Sequence, residues 1–431
     1  MDTLQKTIDA WLEQLPRLLF ANLLDKKLRA QGIKLSRQKR EQLADTILVD
    51  KLETFEFDDG NKNSRKRKIS ISFTDSDIRY LERKSQKFLD QFPALIHQIT
   101  EKQSKSLLRS LKRKWPTESR AQRRDLDSFR KRLQDRWGDG LGKLRMLITI
   151  AREYGSETNN VIGRTDGQKS KKAFDILIKL HARSCQVAEE ILCLLSNGFA
   201  DGAMARWRTL HEIAAVGYLL QRHGDELAER YQHHEVIESR KAAIQYQRHQ
   251  RRLGQRPLSD NTLRKIEADR ASALALYGPH FANPQGWASK HLGKSNPSIA
   301  DIQEGAGIDY LAPYYRMASH NVHANPKGVF FTLGLVRGSN TLLAGPSNAG
   351  LADPGHVTAL SLVQMSSLLL TFCPTLDNQI AMRVMHALAD EVGTSLLAAH
   401  TKLKADDRAF RRNARQRGAR RKSPRVSQVA R

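Results

Sequence analysis

Over residues 214–220 the chain reads AAVGYLL, and a helix through this stretch has no polar face at any rotation. Such a helix must be enclosed by other apolar helices, so the chain is expected to build a multi-helix bundle around it. The flanking sequence suits that arrangement. Residues 172–253 show apolar helical periodicity, with short breaks at SNGF (196–199) and RHGD (222–225), where Gly198 and Gly224 stand in helix C-cap positions. Further helices are predicted over 309–322, near 353–372 and near 376–403. VFFTLGLV-RGSN-TLLAG (329–345) reads as a β-hairpin around Gly338 and Asn340. The expected fold class is therefore mainly α: a helical N-terminal region plus a C-terminal helical bundle with a small β-hairpin.

The first 154 residues have a different character. Helical stripes run through Leu4, Ile8, Trp11 and Leu12, through Leu18, Leu19, Leu23 and Leu24, and through Leu43, Ile47 and Leu48, with Pro16 expected to separate the first two. A polar, basic linker (58–68) follows, and 68–73 alternates as a short strand or extended segment would. Thr74 and Asp75 look like a helix start, with Asp77 adding negative charge to the first turn. Between 102 and 136 stand thirteen Lys/Arg residues against four acids (Glu118, Asp125, Asp127, Asp135). Pro116 is expected to break this stretch, and WGDGLG (137–142) to act as a hinge before an apolar helix at 143–154. The division predicted is a basic helical domain (1–154), a polar linker (155–171), a helical bundle (172–403) and a disordered basic tail (404–431).

Charge decides which partners to expect. The 431 residues carry 72 Lys+Arg against 46 Asp+Glu, a net charge of +26 concentrated in 62–68, 102–136 and 404–431. A chain this basic points to nucleic acid. Lys112, Arg113, Lys114, Arg123, Arg124, Arg411, Arg412, Arg420 and Arg421 are the residues expected to meet phosphate. Three cysteines (Cys185, Cys193, Cys373) without a C-x-x-C pair argue for a reducing compartment. The N-terminus lacks a signal-peptide pattern, and the longest apolar stretch (357–373) is interrupted by Ser361, Gln364, Ser366 and Ser367. A cytoplasmic protein without a membrane partner is expected.

Chemistry could sit in two places. Upstream of the all-apolar stretch lie Arg206, Arg208, His211 and Glu212, charged groups beside a buried helix. At about 100° per residue, Arg208, His211 and Glu212 share a face, while Arg206 falls with Leu210, Ile213 and Gly217. Either the four bind a phosphate, or they form internal ion pairs: Arg208 with Glu212, and Arg206 with Glu189 or Glu190. The second place is YYRMASHNVHANP (314–326), where Tyr315, Ser319 and His323 form one stripe. His320 or His323 could move a proton facing the arginines, or these groups could simply end a helix before Asn325 and Pro326. The two histidines, three apart, lack an evident third ligand, so neither metal nor cofactor is expected. In ERYQHHEVIESRKAAIQYQRHQRR (229–252) the adjacent His233, His234 and Glu235 read as a solvated face. Cys185 and Cys193 read as core. There is no P-loop, G-x-G-x-x-G after a strand, G-x-S-x-G or H-E-x-x-H.

Two resemblances add to this. Residues 172–400, through HARSCQVAEEILCLLSNGFADGAMARWRTLHE, AERYQHHEV and YYRMASHNVHANP, resemble the bacterial domain-of-unknown-function family fifty-six seventy-seven, which supplies no activity. Arg206 and His211 also match the R-x4-H pattern of HEPN domains (higher eukaryotes and prokaryotes nucleotide-binding). That resemblance implies a metal-independent ribonuclease of the phage-defence or toxin kind, and so RNA ahead of DNA as the partner. Arg206 would steady the phosphate, His211 would assist attack by the RNA 2′-hydroxyl, and two motifs would meet across a homodimer. Here Trp207 follows the arginine where a polar residue is common, and a regular helix points Arg206 and His211 about 140° apart. Two further readings stand beside it. One is a non-catalytic nucleic-acid-binding protein with the bundle as scaffold or dimer interface. The other is a sensor of a small anion at Arg206 and Arg208.

Overall fold

The computed structural model describes residues 2–50, 54–57, 67–162, 171–323, 325–336, 342–372 and 374–422. The protein is mainly α-helical and forms two compact units, Met1–Gln122 and Arg123–Arg431. The boundary falls at Gln122/Arg123 rather than in the polar segment 155–171. Of that segment, 155–162 is helical and 163–170 lies outside the described residues.

In the first unit, α1 (Asp2–Ala30) runs through Pro16 without ending. Pro16 removes one hydrogen bond, and the helix formers around it carry the helix on. α1 stops at Gly32, whose φ of 79° lets Ile33 N–H return to the Leu28 carbonyl (2.9 Å) while Ile33 packs in the same core. α2 (Arg37–Asp50) then adds Ala44 and Ile47 to a core of Phe20, Ala21, Leu24, Leu28 and Ile71. Two short strands, β1 (Thr54–Phe57) and β2 (Arg67–Ser70), pair antiparallel with Thr54 opposite Ser70. Most of the linker expected at 58–68 lies outside the described residues.

The helix α3 (Asp75–Ile162) starts where the cap signal placed it. The Thr74 N–H and hydroxyl both donate to Asp77, which also meets Lys27 (2.6 Å). It contributes 75–122 to the first unit and 123–162 to the second. Pro116 does not break it. The residues from 111 to 118 are exposed, so water can satisfy the one carbonyl the proline frees and the loss is local. The glycines of 137–142 are no hinge either. A Cβ on Gly140 would stand 2.6 Å from Leu396, so Gly140 marks a close helix crossing, not a flexible joint.

The second unit is built around α5. The helices α4 (Lys171–Ser196), α5 (Ala200–His233), α6 (Glu235–His249) and α7 (Asp260–Tyr277) are followed by two 3₁₀ turns at 279–288 and the short α8 (Ser289–Leu292). Then come α9 (Ile299–Ala306), α10 (Ala312–Val322), α11 (Pro326–Phe330), α12 (Ala352–Leu370) and α13 (Leu376–Lys422). α5 packs against α4, α9, α10 and α12, as its apolar circumference requires. Trp207 is fully buried and its Nε1 donates to the Val357 carbonyl (2.9 Å) and to Ser361 (3.0 Å). Truncating it would cost about 3–5 kcal/mol. Gly198 (φ 79°) ends α4, and Gly224 (φ 66°, ψ −150°) kinks α5. Both breaks stand where the sequence set them.

Two expectations for this unit need correcting. The hairpin expected near 329–345 is not found among its described residues. Residues 326–330 form α11, 331–336 form a loop, and the proposed tip at 337–341 lies outside the described residues. Asn325 caps α11 through Gly328 N–H (2.9 Å), and that local bond wins over strand alternation. The tail expected to be disordered from 404 instead continues α13 to Lys422. The packed part of α13 has already supplied the nucleus, so each added residue costs little, and the Asp407–Arg411 (2.8 Å) and Arg136–Asp406 (2.8 Å) ion pairs support the extension.

Candidate functional site

α5 brings Arg208, His211 and Glu212 onto one face, as its period dictates, and α10 supplies the partner. Arg208 Nε donates to Glu212 (3.0 Å) one turn on and to the Tyr315 hydroxyl (2.7 Å). Tyr315 in turn donates to the same Glu212 carboxylate. The guanidinium also lies 4.8 Å from the Tyr315 ring centroid, within cation–π range. Burial, and then the hydrogen bond to Glu212, push the Tyr315 phenol far above its ordinary range, so it remains a hydroxyl. The triad pairs one positive with one negative charge, and its three groups are hydrogen-bonded to one another.

His211 lies beneath it, fully buried, stacked on Trp207 (5.1 Å between centroids) and 5.9 Å from the Tyr315 ring. Neither of its ring nitrogens has a hydrogen-bond partner among the described residues. Burial lowers its pKa to about 4, so the ring is neutral at neutral pH. Arg206 points elsewhere. It pairs with Glu190 of α4 and donates to Thr209 (3.3 Å), with a quarter of its side chain still exposed. Its long stem covers the apolar face its Cα occupies while the head reaches outward. The internal ion pairs weighed from the sequence, Arg208–Glu212 and Arg206–Glu190, are both formed.

His320 and His323 do not join this cluster. They line a cavity of about 590 Å³ with Asn321 and the first turn of α5 (199–202). His320 Nδ1 lies 3.0 Å from Asn325 Nδ2, and His323 is exposed. From the 314–326 stripe it is Tyr315, not a histidine, that meets the arginines. Among the described residues no group of three or more His, Cys, Asp or Glu is placed to hold a metal ion.

The basic surface is laid out differently. Lys112, Arg113, Lys114, Arg123 and Arg124 are all exposed on α3. Of the thirteen cations between 102 and 136, only Lys105, Arg130 and Arg136 reach a carboxylate among the described residues. Trp115 stands among these cations with 57% of its surface exposed. Arg412 is exposed on α13, Arg411 pairs with Asp407, and the side chains of Arg420 and Arg421 lie outside the described residues. Among the described residues no helix is long and apolar enough to cross a membrane.

Sequence reasoning missed two buried groups. Arg230, in the stretch read as solvated, is buried. It donates to the carbonyls of Trp287 (2.9 Å) and Gly286 (3.4 Å) and lies against the rings of Tyr277 and Phe281. Neighbouring His234 is also buried and hydrogen-bonds the Asn283 carbonyl (2.9 Å). The available signal was the aromatic, glycine-containing run PHFANPQGW (279–287), whose turns leave carbonyls that need donors. The other group is His181, buried against Ser366 (3.0 Å) and 3.9 Å from the Cys185 thiol. Cys193, by contrast, is exposed rather than core, and Cys373 lies outside the described residues.

The model of a family of unknown function (DUF5677) matches residues 174–335, less than half of the chain, from α4 through the loop after α11. No curated protein and no solved structure matches the chain.

Proposed function

We propose that this chain binds nucleic acid, RNA in preference to DNA, through the exposed cations of α3, with the helical bundle as scaffold. The observation that carries the reading is that Lys112, Arg113 and Lys114 in the first unit, and Arg123 and Arg124 in the second, are exposed and form no ion pair among the described residues. Charges held in internal ion pairs cannot replace the counterions of a phosphate backbone, whereas unpaired ones can. Trp115 beside Lys112, Arg113 and Lys114 supports single-stranded RNA, because an exposed indole offers a face on which an unpaired base can stack. The basic end of α13, including Arg412, adds to the same electrostatic attraction.

The test is titration of a labelled single-stranded RNA into the full-length protein, read by fluorescence anisotropy, with duplex DNA as competitor. Trp115→Ala is expected to weaken RNA binding about ten-fold, within the 1–3 kcal/mol of a base–aromatic stack, while duplex DNA affinity changes little. Equal loss on both, or no loss, counts against single-strand recognition.

The second reading, a HEPN-like ribonuclease, draws on the R-x4-H spacing at Arg206 and His211. It would require His211 to reach a 2′-hydroxyl, whereas His211 is sealed between Trp207 and Tyr315 and Arg206 is engaged by Glu190. The exposed cations of α3 carry no such obstruction, which favours binding over catalysis. Incubating RNA with the protein, without metal, separates the two. Cleavage that disappears in both Arg206→Ala and His211→Ala would reverse the ranking.

A further inference from the structure

We propose that the groove between α3 and α4 binds a small amphipathic anion, its apolar body lying over Ile148, Ile178 and Ala182 and its anionic head meeting Arg152. The groove encloses about 790 Å³, within the range that holds a small organic ligand. Its lining includes none of the residues assigned to nucleic-acid binding, so the two proposals stand or fall separately.

The groove exists because of Gly155. A Cβ there would stand 2.4 Å from Cε1 of His181, so glycine on α3 makes room for the imidazole of α4. His181 forms the floor, hydrogen-bonded to Ser366 and 3.9 Å from Cys185 Sγ. Burial holds the two floor groups neutral, His181 down at about 4 and Cys185 up at about 12. An apolar body therefore meets an uncharged surface. The pair is not an activated thiolate, so a binding site fits better than a nucleophile.

Charge at the mouth sets the polarity of the ligand. Arg152, Ser156 and Asn159 lie on one face of α3, at spacings that bring them to the groove together. Arg152 and Lys179 form no ion pair among the described residues. At the other end, Glu190 is engaged by Arg206 and Arg183, which leaves Glu189 as the one lining acid without an ion pair among the described residues. A carboxylate or sulfonate next to Arg152, with Ser156 and Asn159 as added donors, completes the charge balance.

The experiment uses the full-length protein and anilinonaphthalene sulfonate, a fluorescent amphipathic anion. Saturable binding is expected. Decanoate should displace the probe at a concentration at least about ten-fold lower than decyltrimethylammonium does, since only the anion meets Arg152. Arg152→Ala should weaken probe and decanoate about ten-fold. Ala182→Trp, at an exposed position on α4, should fill the groove and abolish binding. Both variants should melt like the wild type and still bind RNA. Probe affinity unchanged in Arg152→Ala, equal displacement by the cationic amphiphile, or the absence of saturable binding would each overturn the proposal. Should Ala182→Trp lower the melting temperature, Arg152→Ala and the displacement order decide the matter.

Discussion

Replacing His211 with phenylalanine should make this protein more stable and less sensitive to acid. The ring is fully buried and stacked on Trp207, and both nitrogens lack partners among the described residues. Phenylalanine keeps the stacking and removes two desolvated polar atoms, a gain of about 1–2 kcal/mol at neutral pH. Acid enlarges the difference. The unfolded imidazole takes up a proton below its ordinary 6.5, the folded one only below about 4. Protons therefore favour the unfolded chain. The stability contributed by neutral His211 is complete above pH 6.5 and is lost progressively as pH falls toward 4. Between pH 8 and pH 5 the loss from this one group is about 2 kcal/mol. Urea unfolding of the full chain, followed by near-ultraviolet circular dichroism of buried Trp137, Trp207 and Trp287, reads the effect. With an m-value of about 3 kcal/mol/M or more, the wild-type midpoint should fall about half a molar further than that of His211→Phe over this range. Parallel midpoints across pH, or a variant less stable than wild type at pH 7, would refute the assignment of His211 as a sealed, neutral core residue.

Other perturbations follow from the same contacts. Tyr315→Phe removes the hydroxyl that links Arg208 to Glu212 and should cost about 1–2 kcal/mol in thermal or urea unfolding, with the direct Arg208–Glu212 pair retained. Arg230→Met removes the side-chain donor to the Trp287 carbonyl, while the Gly286 carbonyl keeps Ser289, and should cost about 1–3 kcal/mol. Hydrogen exchange should accelerate over 279–292 before the rest of the bundle. Gly155→Ala places a methyl group against His181 and should cost about 1–3 kcal/mol. An equally stable variant would show that α3 and α4 separate easily.

Much of the bundle was legible because its signals are local. The all-apolar run of α5 demanded enclosure, Gly198 and Gly224 supplied breaks that only a positive φ allows, and Thr74 with Asp77 formed a recognisable cap. Prolines and glycines misled where tertiary context outweighed them. Pro16 and Pro116 interrupt one hydrogen bond each in helices that continue, and Gly140 serves a crossing with Leu396 that no local pattern announces. The hairpin failed for the opposite reason, since alternation in VFFTLGLV was overridden by an asparagine cap. In the site, helical spacing gave Arg208 with Glu212, and the acids of α4 gave the partner of Arg206. Tyr315 as the third member was not readable, because it depends on how α10 crosses α5. The same limit hid Arg230, whose partners are carbonyls contributed by a turn more than fifty residues away.

The central claim is that the exposed cations of α3 hold nucleic acid while the α5 cluster holds the fold. Salt dependence of RNA affinity tests it most directly. For single strands each phosphate contact contributes about 0.7 to the slope of log affinity against log salt, so replacing Lys112, Arg113 and Lys114 together with glutamine should lower that slope by about 2. His211→Phe should leave it unchanged. A slope that survives the triple replacement, or that collapses in His211→Phe while the fold is intact, would contradict the account.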